Sequence, residues 1–309
     1  MNTNRLRYLV RKGRAERNGP QRYVARRWLF APLERLGLHV TADHFYEPIP
    51  DTREVARTYR DVPRPLPGLD LRVDEVERRL VDLVETYGDD YRANVGRYGF
   101  KEPNPYLRGL DPVALYTLVR DRRPAVVVEV GQGFSTRVLL AALHQCAAET
   151  GVRHRLTSID PHPRLGSLAT DVPGVDVDIV ASRLEDLEVG PYLEDCDLLF
   201  VDSSHVHKFG SDVAVEFASV YPRVAPGTLV HVHDIFTPYD YPLGWIVHER
   251  RFWNEQYLLE AFLTFNDAFE VHLPVHLLVR QSDALRKAVE AGFGDTIPYR
   301  GTSFYVRRR

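Results

Sequence analysis

The stretch VVVEVGQGFST, Val126–Thr136, decides the fold. A near-continuous apolar run, Ala125–Val130, reads as a strand covered on both faces rather than as one with a wet side. It ends in a turn, Gly131-Gln132-Gly133, whose two glycines let the backbone bend sharply and let a ligand approach the main chain. A helix follows, capped by Ser135 or Thr136, and its first N–H groups are open to an anionic group. Strand, glycine turn and helix in this order form the first unit of an α/β sheet.

Outward from there the pattern repeats. Further strand candidates are Arg155–Ile159, Val175–Val180, Asp197–Val201, Thr228–His233, Phe269–Val275 and Ser303–Arg307. Helical runs fall at Ser135–Glu149, near Arg164–Ala169, near Leu184–Leu187, at Asp212–Tyr221 and at Glu249–Phe265, the last with Leu258, Ala261, Phe262 and Phe265 on one side. Strands alternating with helices predict a parallel sheet with right-handed crossovers. Upstream, the prolines of HFYEPIPD (His44 to Asp51) and DVPRPLPGLD (Asp61 to Asp70) argue against regular elements. One helix is expected from Val73, with Val73, Val76, Leu80, Leu83, Val84 and Tyr87 on one face and Gly88 ending it. Another starts at Asp111-Pro112, read as N-cap and first helical residue. The expected division is an N-terminal helical and irregular extension over residues 1–110 and an α/β domain over 111–309.

Bulk properties exclude several classes. The 309 residues are 44% hydrophobic and 27% charged, enough for a sizeable core. A net charge of −3 argues against a polyanion binder, and no aromatics interleave with a basic groove, so no nucleic-acid partner is expected. Cys146 and Cys196 form no CxxC pair and no disulfide framework, which fits a reducing compartment. No apolar run approaches the roughly 20 residues of a membrane span. The start, MNTNRLRYLVRKGR, lacks the apolar core of a signal peptide. The expectation is a cytoplasmic protein, and the Arg-, Val- and Ala-rich composition suggests a GC-rich bacterial source. A homo-oligomer is compatible with the sequence. The first 30 residues carry nine basic residues, from Arg5 to Arg27, against Glu16 alone. They read as a solvated arm, because no amphipathic stripe accompanies the charge.

The turn does not complete a dinucleotide fingerprint: Thr136 stands where the third glycine of G-x-G-x-x-G belongs, which argues against a nucleotide-dependent oxidoreductase. Instead Glu129 precedes the first glycine by two, and LTSIDPHP puts Asp160 at the carboxyl end of the second strand. E-x-G-x-G with that acid resembles class I S-adenosylmethionine-dependent methyltransferases. The resemblance implies a Rossmann-like, seven-stranded, mainly parallel sheet with helices on both faces. It implies that the turn, with Glu129, Gly131, Gly133 and Ser135, takes the amino-acid end of the cofactor. Asp160 would hold the ribose hydroxyls. A residue among Ser182, Arg183, Leu184, Glu185 and Asp186 would meet the adenine.

Two further strands end in charged residues that are costly there unless paired or bound. DLLFVDSSHVHK places Asp202, His205, His207 and Lys208 at one tip, and TLVHVHDIF places His233 and Asp234 at its neighbour. DSSHVHKFGSD and HVHDIFTPYDYP resemble a bacterial methyltransferase group similar to small-molecule O-methyltransferases of the catechol type. That likeness implies a catalytic set of Asp202, His205, His233 and Asp234, with Asp202 also beside the cofactor. It implies a divalent-metal site at Asp202, His233 and Asp234, the histidine shifting preference from Mg²⁺ towards Mn²⁺, Fe²⁺ or Zn²⁺. His205 would be the general base, His207 and Lys208 being weaker candidates. Tyr239, Tyr241 and Trp245 would wall a small-molecule pocket, with Asp240, Arg250, Arg251, Trp253 and Asn254 at its edge. Tyr91, Tyr98, Phe100 and Tyr106 read as core or as part of a lid. The implied reaction is methyl transfer to a small-molecule hydroxyl oxygen, as in natural-product biosynthesis. Aminopropyl transfer and a non-catalytic cofactor-binding role are the alternatives.

Overall fold

The computed structural model describes residues 30–40, 47–164 and 171–309. The basic arm, His44–Tyr46 and all but Arg164 of the helix expected near Arg164–Ala169 lie outside the described residues.

The chain forms two compact units. In the smaller, residues 1–59 with 243–252, helix Leu243–Val247 packs against helix Thr52–Thr58. Asp51 caps the latter by accepting from the Arg53 N–H at 2.9 Å. The larger unit, residues 60–242 with 253–309, holds the sheet.

Its elements in chain order are α1 (Val73–Asn94), α2 (Leu110–Arg122), β1 (Val126–Val130), α3 (Phe134–Thr150), β2 (His154–Ile159), β3 (Val175–Val180), β4 (Leu198–Val201), α4 (Asp212–Val215), β5 (Leu229–Val232), α5 (Glu255–Leu263), β6 (Phe269–Pro274), α6 (Val275–Gln281), α7 (Asp283–Phe293) and β7 (Phe304–Arg308). The seven strands lie in the order β3-β2-β1-β4-β5-β7-β6. The first five are parallel; β7 runs antiparallel to both β5 and β6. Each of these strands begins and ends within a residue of its sequence expectation, because the buried apolar runs fix them. The two faces alternate as a doubly covered sheet requires. Val127 and Phe200 pack under α1, α2, α3 and α7, whereas Val128 and Leu199 pack under α5 and the turns after α4.

Several boundaries differ from expectation. Gly88 does not end α1, which runs on to Asn94; the glycine instead lets the Phe293 ring approach, since a Cβ there would sit 3.3 Å from it. Asp111 is not the N-cap of α2. That place falls to Gly109, and the Asp111 carboxylate accepts the N–H groups of Thr302 and Ser303 at 2.8 and 2.7 Å. Asp212–Tyr221 is a single α turn continued by a π-helical turn, Glu216–Val220, and a 3-10 turn, Tyr221–Arg223. The expected helix Glu249–Phe265 is shorter: residues up to 252 belong to the smaller unit, and Phe265 lies beyond α5, largely exposed. β6 and β7 pair antiparallel although α6 and α7 intervene between them.

The strand order reverses between β1 and β4. A crevice must open there beyond the carboxyl ends of the strands, and an open α/β sheet binds its ligand in that crevice.

Candidate functional site

The glycine turn after β1 forms the floor of this crevice. Gly131 has φ of 89°, and a Cβ there would lie 2.1 Å from the Asp202 carbonyl oxygen at the tip of β4. Only glycine permits both the left-handed backbone and the contact. Gly133 faces open space instead, with no atom within 4 Å of where its Cβ would be.

Glu129, expected to touch the cofactor, lies wholly beneath the turn. Its carboxylate accepts hydrogen bonds from the hydroxyls of Ser135, Thr136 and Ser158, each at 2.7 Å. Thr136 Oγ1 in turn accepts the Gly133 N–H at 3.0 Å. Glu129 therefore fixes the turn and the start of α3 from below, and the capping role open to Ser135 or Thr136 belongs to Thr136. Burial raises the Glu129 carboxyl to about 7, against the pull of its three hydroxyl partners.

Asp160, at the end of β2, borders the crevice beside the turn. It accepts the N–H groups of Gln132 and His162 at 2.8 and 2.6 Å. A carboxylate offers about four acceptor positions, so two stay open on the cavity side. Tyr106, Leu107, Phe134 and Arg137 complete the wall, with Asp202 at the far end. None of Ser182, Arg183, Leu184, Glu185 and Asp186 lines it. Leu184 is core, and Glu185 pairs with Arg183 at 2.5 Å.

Asp202 joins this cavity to the histidine cluster. His205 Nε2 lies 3.3 Å from Asp202 Oδ1 and 3.8 Å from Asp234 Oδ2. His233 Nδ1 lies 3.5 Å from Asp202 Oδ1 and 3.7 Å from Asp234 Oδ2, with its Nε2 3.7 Å from Asp111 Oδ2. The adjacency of β4 and β5 thus brings all four expected catalytic residues together. Asp111, buried and far away in sequence, joins them unforeseen. So does Glu255, whose Oε2 is 2.8 Å from His205 Nδ1. Two of the residues, His205 and Asp234, have left-handed backbone, with φ of 60° and 54°. Strain of this kind gathers at functional sites.

The electrostatics of the cluster follow from these contacts. Burial opposes charge on His205, but hydrogen bonds to Asp202 and Glu255 and their negative charges win and raise it to about 10. His205 therefore holds its proton more tightly than a free imidazole. His233 is likewise raised against burial by the charges of Asp234 and Asp202. Asp202 and Asp234 are both held below the ordinary carboxylate range; burial works against this and the histidine charges prevail. Asp202, His233 and Asp234, the expected metal set, lie together as ion pairs. Among the described residues, no group of three or more His, Cys, Asp or Glu could hold a metal ion.

The expected substrate pocket also resolves differently. Tyr239 and Tyr241 are core, their hydroxyls accepting from Gln281 Nε2 and the Gln256 N–H, both at 3.1 Å. Asp240 pairs with Arg64 at 3.0 Å. Trp245, Arg250 and Arg251 belong to the smaller unit, where the Arg251 guanidinium lies over the Trp245 ring at 4.5 Å. Trp253 remains at the cluster, its ring centroid 4.3 Å from that of His205. Asn254 brackets His207, and the His207 and Lys208 side chains are exposed. Tyr91 and Phe100 are core; Tyr106 is largely exposed at the cavity mouth.

No helix among the described residues is long and apolar enough to cross a membrane. Residues 128–235 match the profile of the family described as "Methyltransferase domain". No curated protein matches the sequence. Among solved structures, the SAH-bound Podospora anserina methyltransferase PaMTH1 is similar at 13% identity, covering 80% of this chain and 100% of its own, with a TM-score of 0.35. That likeness is too distant to bear on the chemistry here. The matched segment runs from inside β1 to just past the tip of β5, and so spans the glycine turn, Asp160, Asp202 and the histidines. Residues 128–235 are thus similar to a methyltransferase domain, and they lie in a seven-stranded sheet of the expected, mainly parallel kind.

Proposed function

We propose that this chain transfers the methyl group of S-adenosylmethionine to a hydroxyl oxygen of a small molecule. The observation that carries the reading is the double membership of Asp202, which both lines the cofactor-sized crevice and pairs with His205 and His233. The crevice suits the cofactor on three counts. Gly133 leaves room before the turn, Asp160 keeps acceptor capacity for two ribose hydroxyls, and the helix start at Phe134 offers N–H groups to a carboxylate. The cofactor supplies an electrophilic methyl on a sulfonium.

The chain's own residues supply proximity and proton handling. Holding nucleophile and methyl close in line accounts for most of the acceleration. Asp202 Oδ1 lies within reach of a proton on His205 Nε2, and Asp234 adds a second negative charge 3.8 Å away. The acceptor hydroxyl loses its proton to this Asp–His–Asp group once Nε2 is bare. Because the donor set does not fit a metal ion, no step is routed through one. Tyr106 and Leu107 reach the crevice from the first 110 residues, which supports a lid or substrate-selecting role for that extension.

The test is release of S-adenosylhomocysteine in the presence of a panel of phenolic, sugar and hydroxy-acid acceptors. Turnover should fall at least about 100-fold in His205→Gln and in Asp202→Asn, with cofactor binding kept in the former. Turnover untouched by both substitutions would place the reaction elsewhere.

A further inference from the structure

Helix α5 begins against the His205 loop, and its first residues hold that loop in several ways at once. The His205 carbonyl accepts the N–H groups of Asn254 and Glu255 at 3.1 and 3.3 Å. Asn254 Oδ1 accepts the His207 N–H at 2.6 Å, and Asn254 Nδ2 donates to the His207 carbonyl at 3.3 Å. Trp253 lies against the imidazole ring. These contacts offset the left-handed backbone at His205, which costs a non-glycine residue about 1–2 kcal/mol.

We propose that Glu255 is a positioning residue that fixes the ring orientation and tautomer of His205, keeping the proton on Nδ1 so that Nε2 faces Asp202 and the reaction rim. The inference rests on the reading of His205 as the proton acceptor. Its geometric basis is the 2.8 Å contact between His205 Nδ1 and Glu255 Oε2, with the two side chains 6% and 1% exposed. A carboxylate can only accept, so Nδ1 must donate. The remaining nitrogen, Nε2, is then the one whose proton can come and go. This is the logic by which a second carboxylate selects the tautomer of a catalytic histidine.

Glu216, wholly buried on the π-helical turn, has its carboxyl pushed well above the ordinary range by burial and by the Glu255 charge. Glu216 therefore favours its protonated form. π-Helical turns recur at functional sites, and Glu216 opens one.

The experiment is side-chain ¹H–¹⁵N spectroscopy of the full, ligand-free chain labelled at histidine, with His205→Asn assigning the signal. The wild type should show His205 protonated at Nδ1, with a strongly downfield proton. Glu255→Gln keeps an acceptor oxygen but not the charge. It should move that proton well upfield while leaving the melting temperature nearly unchanged and S-adenosylhomocysteine affinity within about threefold. Glu255→Ala should leave the ring in mixed tautomers; should that variant fail to fold, Glu255→Gln alone decides. A His205 signal identical in wild type and Glu255→Gln, or a bare Nδ1 in the wild type, would overturn the proposal. Absence of S-adenosylhomocysteine binding to the wild type would instead overturn the reading of the crevice, and the spectra would still decide the role of Glu255.

Discussion

At neutral pH, His205 keeps its proton because two carboxylates face its two nitrogens, one on each side. Raised from 6.5 to about 10, it contributes stability that is fully present below pH 6.5 and lost as pH rises towards 10. A cation bound beside Asp202 weakens that hold. At about 6 Å and an effective dielectric constant of about 20, repulsion is about 3 kcal/mol, or roughly 2 pKa units. Binding the cationic cofactor should therefore release protons near pH 8, and calorimetry in buffers of different ionisation heat measures this. Uptake, or no exchange, would contradict it. Glu129 gives a dependence of the same sign in a lower pH window. Its folded-state value of about 7 exceeds the ordinary 4.5, so the folded protein loses on the order of 3 kcal/mol as pH rises from 4.5 to 7. Glu129→Gln should flatten the melting temperature across that window, whereas an unaltered slope would assign the effect to other groups.

At the scale of elements, the two glycines of the turn make a matched pair of tests. Gly131→Ala drives a Cβ into the Asp202 carbonyl in a left-handed backbone, at a cost of about 3 kcal/mol or more, so melting should fall by about 5–10 °C. Gly133→Ala meets nothing in the protein and sits in extended backbone. It should melt like the wild type yet bind cofactor at least about tenfold more weakly, its methyl entering the crevice. Equal binding would mean that the ligand does not pass there. These strands were legible in the sequence because a run such as Val126–Val130 can be buried only one way. Asp160 and Asp202 were legible because an acid stranded at the end of an apolar run calls for a partner. The rest depends on distant contacts. Gly88 reads as a terminator until Phe293 is placed against it, and Asp111 reads as a cap until residues 302 and 303 arrive at its carboxylate. Glu255 carried no signal at all, being one acid among several in a polar stretch. The tight hold of His205 on its proton was hidden for a related reason, since the ordinary value for histidine ignores partners that only the fold supplies.

For the whole molecule, the first 110 residues are not all peripheral to the sheet. Val76, Leu80, Leu83, Val84 and Tyr91 of α1 lie in one core cluster with Val127 of β1, residues of α2 and residues of α3. At about 1.5–3 kcal/mol per buried side chain, this helix contributes about 10 kcal/mol, comparable with the total stability of a typical domain. A chain starting at residue 111 should therefore be insoluble or lack a cooperative melting transition, and a folded truncation product would contradict this. The central claim is that adenosine lies in the crevice with its ribose on Asp160, and titration calorimetry tests it most directly. S-Adenosylmethionine should bind the wild type with a Kd in the micromolar range and bind Asp160→Ala at least about tenfold more weakly, while Asp160→Asn, which keeps one acceptor for the Gln132 and His162 N–H groups, should fall between them. Equal affinity for all three proteins, or no heat with the wild type, would contradict the account.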